Sequence, residues 1–108
     1  MDTKELYEMH AEICKIFTHP KRLEIINLLR DSEKSVGELV ELSDIPQPNL
    51  SQHLAILRQR GIVSTRHEGI NVFYSISNPK ILKACDTMRE VLLEQLTQKA
   101  KIAEEALN

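Results

Sequence analysis

Apolar positions in the first part of the chain recur at helical spacing. Leu6, Met9, Ile13, Ile16 and Phe17 predict a helix to about Phe17, with Asp2 or Thr3 as its cap and Glu5 in its opening turn. Thr18-His19-Pro20 breaks the pattern, and Pro20 opens a second helix to about Arg30. Leu23, Ile26 and Leu29 point inward there, with Lys21, Arg22 and Glu24 mostly outward. Asp31-Ser32-Glu33-Lys34 reads as a polar link. Ser35 then caps a short helix to about Ser43, and Glu38 completes a capping box. Val36, Leu39 and Leu42 give this helix its apolar stripe. Asp44-Ile45-Pro46 ends it, because the residue before a proline is pushed out of the helical region. Gln47 as cap and Pro48 as first residue start a fourth helix to Arg60, which Gly61 stops.

After Gly61 the period changes from helical to alternating. Ile62 to His67 has strand character, and Glu68-Gly69 lies in the turn. Ile70, Val72, Tyr74 and Ile76 alternate with Asn71, Phe73 and Ser75 as a return strand. Asn78-Pro79 starts a last helix to about Leu107, roughly 40 Å long at the usual rise per residue. Its stripe is Ile81, Leu82, Cys85, Met88, Leu92, Leu96, Ala100 and Ala103. A chain of 108 residues has little core for such a helix to cover. A partner surface is therefore expected, most simply the same helix from a second copy.

The fourth helix carries the candidate chemistry. At about 100° per residue, Leu50, Leu54 and Leu57 share one side and face the core. Pro48, Gln52, Ala55 and Gln59 lie opposite, with Asn49 and Ile56 close by; Ser51 and Arg58 sit on one flank, His53 and Arg60 on the other. Carboxamides bond adenine edges in a bidentate way, while Arg and His meet phosphates. Periodicity by itself favours a merely solvated amphipathic helix. The setting decides: no Asp or Glu occurs between Asp44 and Glu68, and Arg58, Arg60 and Arg66 all fall in that gap. Two short helices joined by a tight turn, the second built this way, form a helix-turn-helix reading head for duplex DNA. The hairpin that follows is a wing. Its turn either presses on phosphates or a minor groove, or only covers the core; Glu68 near the tip opposes phosphate. The expected fold is thus mainly α with a two-stranded β wing, a winged helix-turn-helix in the order ααααββα. It forms a single domain over residues 1–108, with dimerisation helices at about 3–17 and 79–107.

Composition narrows the partners. A formal charge of −2 argues against indiscriminate polyanion binding but allows a local basic face. No apolar run reaches the roughly 18 residues of a membrane span, and the acidic, amphipathic start MDTKELYEMH is unlike a secretory signal. Two cysteines in such a chain predict free thiols in a reducing cytoplasm.

Over nearly its full length the chain resembles the ArsR/SmtB family of winged-helix repressors. Phe17-Thr18-His19-Pro20-Lys21-Arg22-Leu23-Glu24-Ile25 looks like the family's alanine-aspartate-proline-x-arginine opening. Gln47 to Leu57, with Ser51, His53, Leu54 and Leu57 as its core, is followed by Gly61-Ile62-Val63; Glu68-Gly69 and Val72-Phe73-Tyr74 match the wing. The resemblance implies a homodimer built on the first and last helices, which binds an operator and blocks transcription until a signal releases it. It makes Gln47, Asn49, Ser51, Gln52 and His53 the readers, with Arg66 and the wing in support; Arg58 and Arg60 are expected at phosphates. The alternative function is a winged-helix protein-interaction module without sequence-specific DNA readout. Such a module predicts an apolar or acidic outward face on the fourth helix.

Departures from the family pattern bear on the signal. Val40 and Leu42 occupy the positions of a Cys-x-Cys metal motif. Asp86 matches the first ligand of a second site, but Met88, Lys99 and Ile102 stand at the others. Neither standard metal site is present, no cofactor is expected, and no residue pattern names the inducer. Ile70 and Asn71 occupy the wing tip, where some relatives carry arginines. Cys14 and Cys85, on the first and last helices, admit three readings: small buried hydrophobes, a redox pair, or a soft-metal or arsenite site shared with His10. An enzyme is not expected. Cysteine chemistry needs a nearby base or a second thiol, and a helix seam offers no evident substrate pocket.

Overall fold

Caps and breaks in the sequence set the helix ends. The computed structural model describes residues 1–107. Helix α1 (Thr3–Ile16) starts where Asp2 Oδ1 accepts from the Glu5 backbone amide at 2.8 Å. Helix α2 (Pro20–Leu28) follows the His19-Pro20 break. Strand β1 (Lys34–Ser35) leads into α3 (Val36–Ser43), whose capping box is complete. Ser35 Oγ accepts from the Glu38 amide at 3.2 Å, and Glu38 Oε1 accepts from the Ser35 amide at 3.1 Å. Asp44 then adopts the left-handed conformation at φ 58°, reversing the chain and burying Ile45. Helix α4 (Gln47–Gln59) begins one residue earlier than expected, with Pro46 as its cap and Pro48 inside the first turn. Gly61, at φ 74°, turns the chain out of α4 into strands β2 (Val63–Glu68) and β3 (Asn71–Ile76).

The sheet corrects the predicted order. It has three antiparallel strands, β1-β3-β2, rather than a two-stranded wing alone. Lys34 lies opposite Tyr74 and Ser35 opposite Phe73, so the segment read as a polar link ends in a strand. The order is ααβααββα. Two residues carry no period of their own; β1 exists because β3 offers it an edge. In the wing, Arg66 lies opposite Phe73 and Glu68 opposite Asn71. The turn is therefore Gly69-Ile70, and Glu68 belongs to the strand rather than to the turn.

The core gathers one face from each short element. Ile25, Ile26 and Leu29 of the second helical segment pack with Leu39, Ile45, Leu50, Leu54, Leu57, Ile62 and Val63. One inward and one outward assignment change. Leu42 is 54% exposed, its place in the core taken by Ile45. Arg22, expected outward, is only 9% exposed; it shares the inner face of α2 with Ile25, Ile26 and Leu29.

Helix α5 (Pro79–Leu107) lies against the core only at its start. Ile81, Leu82, Cys85 and Asp86 are half-buried, and every described residue from Thr87 onward is exposed. A bidentate ion pair fastens the junction: Arg30 Nη1 meets Asp86 Oδ2 at 2.9 Å and Nη2 meets Oδ1 at 2.5 Å. The radius of gyration, 17.5 Å, exceeds the roughly 13 Å expected for a compact chain of this length, because α5 projects away. Leu6, Met9 and Ile13 on α1, and Met88, Leu92 and Leu96 on α5, remain exposed. Among the described residues no helix is long and apolar enough to cross a membrane.

The Ser35 cap precedes the reading helices and supplies a stability test. Ser35→Ala removes the side-chain acceptor and should cost about 1 kcal/mol, whereas Ser35→Gly should cost only a few tenths. Urea denaturation reads this as a lower midpoint at unchanged slope for the alanine variant.

Candidate nucleic-acid interface

Three buried leucines orient α4. Leu50, Leu54 and Leu57 are completely buried, so the opposite face must look outward. Gln47, Asn49, Ser51, Gln52, Arg58 and Arg60 are all exposed on that helix. Arg58 and Arg60 have no ion-pair partner among the described residues. The N-terminus is equally open. Pro46 offers no side-chain cap, and the first helical bond runs from the Leu50 amide to the Pro46 carbonyl. The Gln47 and Asn49 amides are left pointing out of the helix end, an arrangement that favours an anion.

His53 sits differently. It is half-buried, and its Nδ1 accepts from Arg22 Nε at 3.1 Å. The bond assigns the ring proton to Nε2, which stays a donor. The His19 ring lies beside it, centroids 6.1 Å apart. Burial, then the charges of Arg22, His19 and Lys21, push the His53 pKa below the usual histidine value. Of the expected readers, His53 is thus the one fastened to a second helix.

Arg66 is exposed on β2 but fully engaged. Glu33 and Glu68 both hold its guanidinium, the latter at 2.8 Å, and it stacks 4.8 Å over the Phe73 ring. These bonds raise its pKa above the ordinary arginine value. At the wing tip, Ile70 is 99% exposed and Gly69 takes φ 61°.

Both thiols are free and they differ in setting. Cys14 is exposed on α1, and Cys85 is half-buried at the α2–α5 junction. Burial, and next the Asp86 charge, push the Cys85 thiol up, away from thiolate. Among the described residues no three His, Cys, Asp or Glu side chains converge, so the His10, Cys14 and Cys85 metal candidate is not assembled. Cys85 lies where α5 meets α2, whereas Cys14 is exposed on α1.

Arg22 lies inside the protein rather than outward. A signal was present, since Arg22 stands three and four residues before Ile25 and Ile26 and shares their side of the helix.

A family model described as bacterial regulatory protein, arsR family, matches residues 19–65. Over 107 residues the chain is 37% identical to Rv0081, an HTH-type transcriptional regulator of Mycobacterium tuberculosis, spanning 97% of this chain and 93% of that one. The chain belongs to the ArsR/SmtB family. The crystal structure of Rv0081 superposes on this ArsR-family protein with a TM-score of 0.81 at 38% identity, covering 88% of this chain and 96% of that one. The biofilm growth-associated repressor of Agrobacterium fabrum is 41% identical over 78 residues, 72% of this chain and 67% of the relative. The transcriptional activator HlyU of Vibrio cholerae is 44% identical over 84 residues, 75% and 78%. A solution structure of the homodimeric winged helix-turn-helix domain of Mb0332, from Mycobacterium bovis, matches with a TM-score of 0.78 at 26% identity, covering 89% and 90%. As a member of this family the protein is a DNA-binding transcriptional regulator, mainly helical with a small antiparallel sheet.

Because the folded-state pKa of His53 is lowered, the unfolded chain binds the proton first on acidification. The stabilisation from neutral His53 is complete above the ordinary value of 6.5 and is lost as pH falls through the lowered folded value. Urea midpoints measured from pH 8 downward should therefore drop more steeply below about pH 6.5 in the native protein than in His53→Gln, which keeps an acceptor for Arg22 but does not titrate.

Proposed function

We infer that the protein is a homodimeric repressor that reads a specific operator through the outward face of α4. The observation that carries this reading is the row of exposed Gln47, Asn49, Ser51 and Gln52 on a helix held by three buried leucines, with no carboxylate from Ile45 to His67. Amides and a hydroxyl suit base edges; Arg58, Arg60 and the open helix N-terminus suit phosphates. His53 joins them by donating a hydrogen bond from Nε2 to a phosphate oxygen, positioned by Arg22. Arg66 contributes from the wing only when it leaves Glu33 and Glu68.

The exposed apolar stripes of α1 and α5 support pairing with a second copy. The homodimeric Mb0332 domain has the same fold and supports the same assembly. Two copies place their reading heads in successive major grooves about 34–36 Å apart. Repression rather than activation follows the relatives that are named repressors, while HlyU shows that a similar chain also serves an activator. The releasing signal in this reading is thiol redox chemistry at Cys14 and Cys85, which lie on the two helices of the proposed seam. Cys14 is the more accessible thiol.

Gln52→Ala should relax base preference at one operator position by about 1–3 kcal/mol, and Arg58→Ala should weaken all sequences and lower the salt slope by about 1. Fluorescence anisotropy against the protein's own promoter region and a random duplex measures both. Equal affinity for the two duplexes at physiological salt, or a monomer at micromolar concentration, overturns the reading. Persulfide or oxidant treatment should release the operator from the native protein but not from Cys14→Ser; equal release from both removes the thiols from the signal.

A further inference from the structure

One charge inside the protein has no counter-charge. Arg22 is 9% exposed, yet no carboxylate among the described residues pairs with it. Its Nε donates to His53 Nδ1 at 3.1 Å and its Nη1 to the Ile16 carbonyl at 3.5 Å. A buried cation without an anion is strongly disfavoured unless something else answers it. Nη2 has no protein partner, but no buried side-chain nitrogen or oxygen is left unsatisfied among the described residues. The amino group therefore keeps an outlet, and Arg22 lines a cleft that provides one.

This cleft, about 390 Å³, lies between the end of α1, the start of α2 and α4. Lys15, Thr18, His19 and Arg60 surround Arg22, with Ile56 as an apolar wall. Glu12 is the single carboxylate on the lining; it is exposed and bonds Lys15 Nζ at 3.0 Å rather than Arg22. Three permanent cations thus share one acid at the rim.

We propose that this cleft binds a phosphate group, with Arg22 at its floor and Lys15 and Arg60 on its walls. A guanidinium fork gives directional donors to a tetrahedral oxyanion, and the two flexible cations reach its remaining oxygens. The volume exceeds inorganic phosphate and admits a phosphate ester. The phosphate comes either from a nucleic-acid backbone or from a small phosphorylated ligand. Through the Arg22–His53 bond it ties the first helix to the reading helix.

The site is tested on the free, full-length protein, independently of operator binding. Inorganic phosphate replaces chloride at constant ionic strength while NMR follows the Arg22 Nε–H and the His19 ring. Saturable shifts confined to the cleft are expected. Lys15→Gln should weaken them about tenfold, the loss of one charge-assisted hydrogen bond, and Glu12→Gln should strengthen binding by removing the competing acid. Both positions are exposed on α1, so neither change disturbs the core. A second arm measures duplex affinity against salt for Lys15→Gln. A slope lowered by about 1 identifies the backbone phosphate; an unchanged slope, with phosphate bound saturably by the native protein and more weakly by Lys15→Gln, identifies a free phosphorylated ligand. Shifts insensitive to both substitutions, or neither a saturable shift nor a change in slope, overturn the site. A protein that bound phosphate but no DNA would sink the operator reading and leave this one standing.

Discussion

Everything outward on α4 depends on what is inward. Leu50, Leu54 and Leu57 leave the helix no rotational freedom, because turning it would expose one leucine and bury an amide. The cost of such a rotation, about 1.5–3 kcal/mol for each fully exposed leucine, is large beside the few kcal/mol that stabilise a domain of this size. The reading face is therefore preorganised: its amides do not have to be oriented by the ligand. The turn before α4 works to the same end, since Asp44 in the left-handed conformation and buried Ile45 fix the angle at which the helix leaves α3.

Electrostatics divides the surface into engaged and available cations. Arg30 is committed to Asp86 and Arg66 to Glu33 and Glu68, so both serve the fold's own junctions. Arg58 and Arg60 carry no such commitment among the described residues. This reconciles an overall negative chain with a local positive face, because screening limits each phosphate to the charges within about 10 Å. The wing presents Ile70 at its tip, and its one arginine is folded back over Phe73.

Helix ends were legible in the sequence because their causes are local. Asp2, Ser35 with Glu38, Pro20 and Gly61 each act within one turn, and each marks a boundary in the structure. Strand β1 was not legible, since its two residues are ordered by a partner forty positions away. Leu42 shows the limit of periodicity, because packing partners turn it outward; Arg22 shows the limit of residue type, because its spacing placed it on the inner side of the helix while its charge suggested the surface. The exposed polar face of α4 could be named from the sequence, but the seat of His53 could not, because it depends on Arg22 of another helix. The cleft around Arg22 was hidden for the same reason, being assembled from three separated segments.

The shallow attachment of α5 has a mechanical consequence. A rod of 29 residues, about 43 Å long, is held near one end by Ile81, Leu82 and the Arg30–Asp86 pair, and every described residue from Thr87 onward is exposed. Its geometry is that of a lever whose fixed end includes Cys85 and Asp86. A pivot of a few degrees there sweeps the distal turns through several ångströms, so a modest chemical event at the fulcrum is magnified wherever the far end is seated.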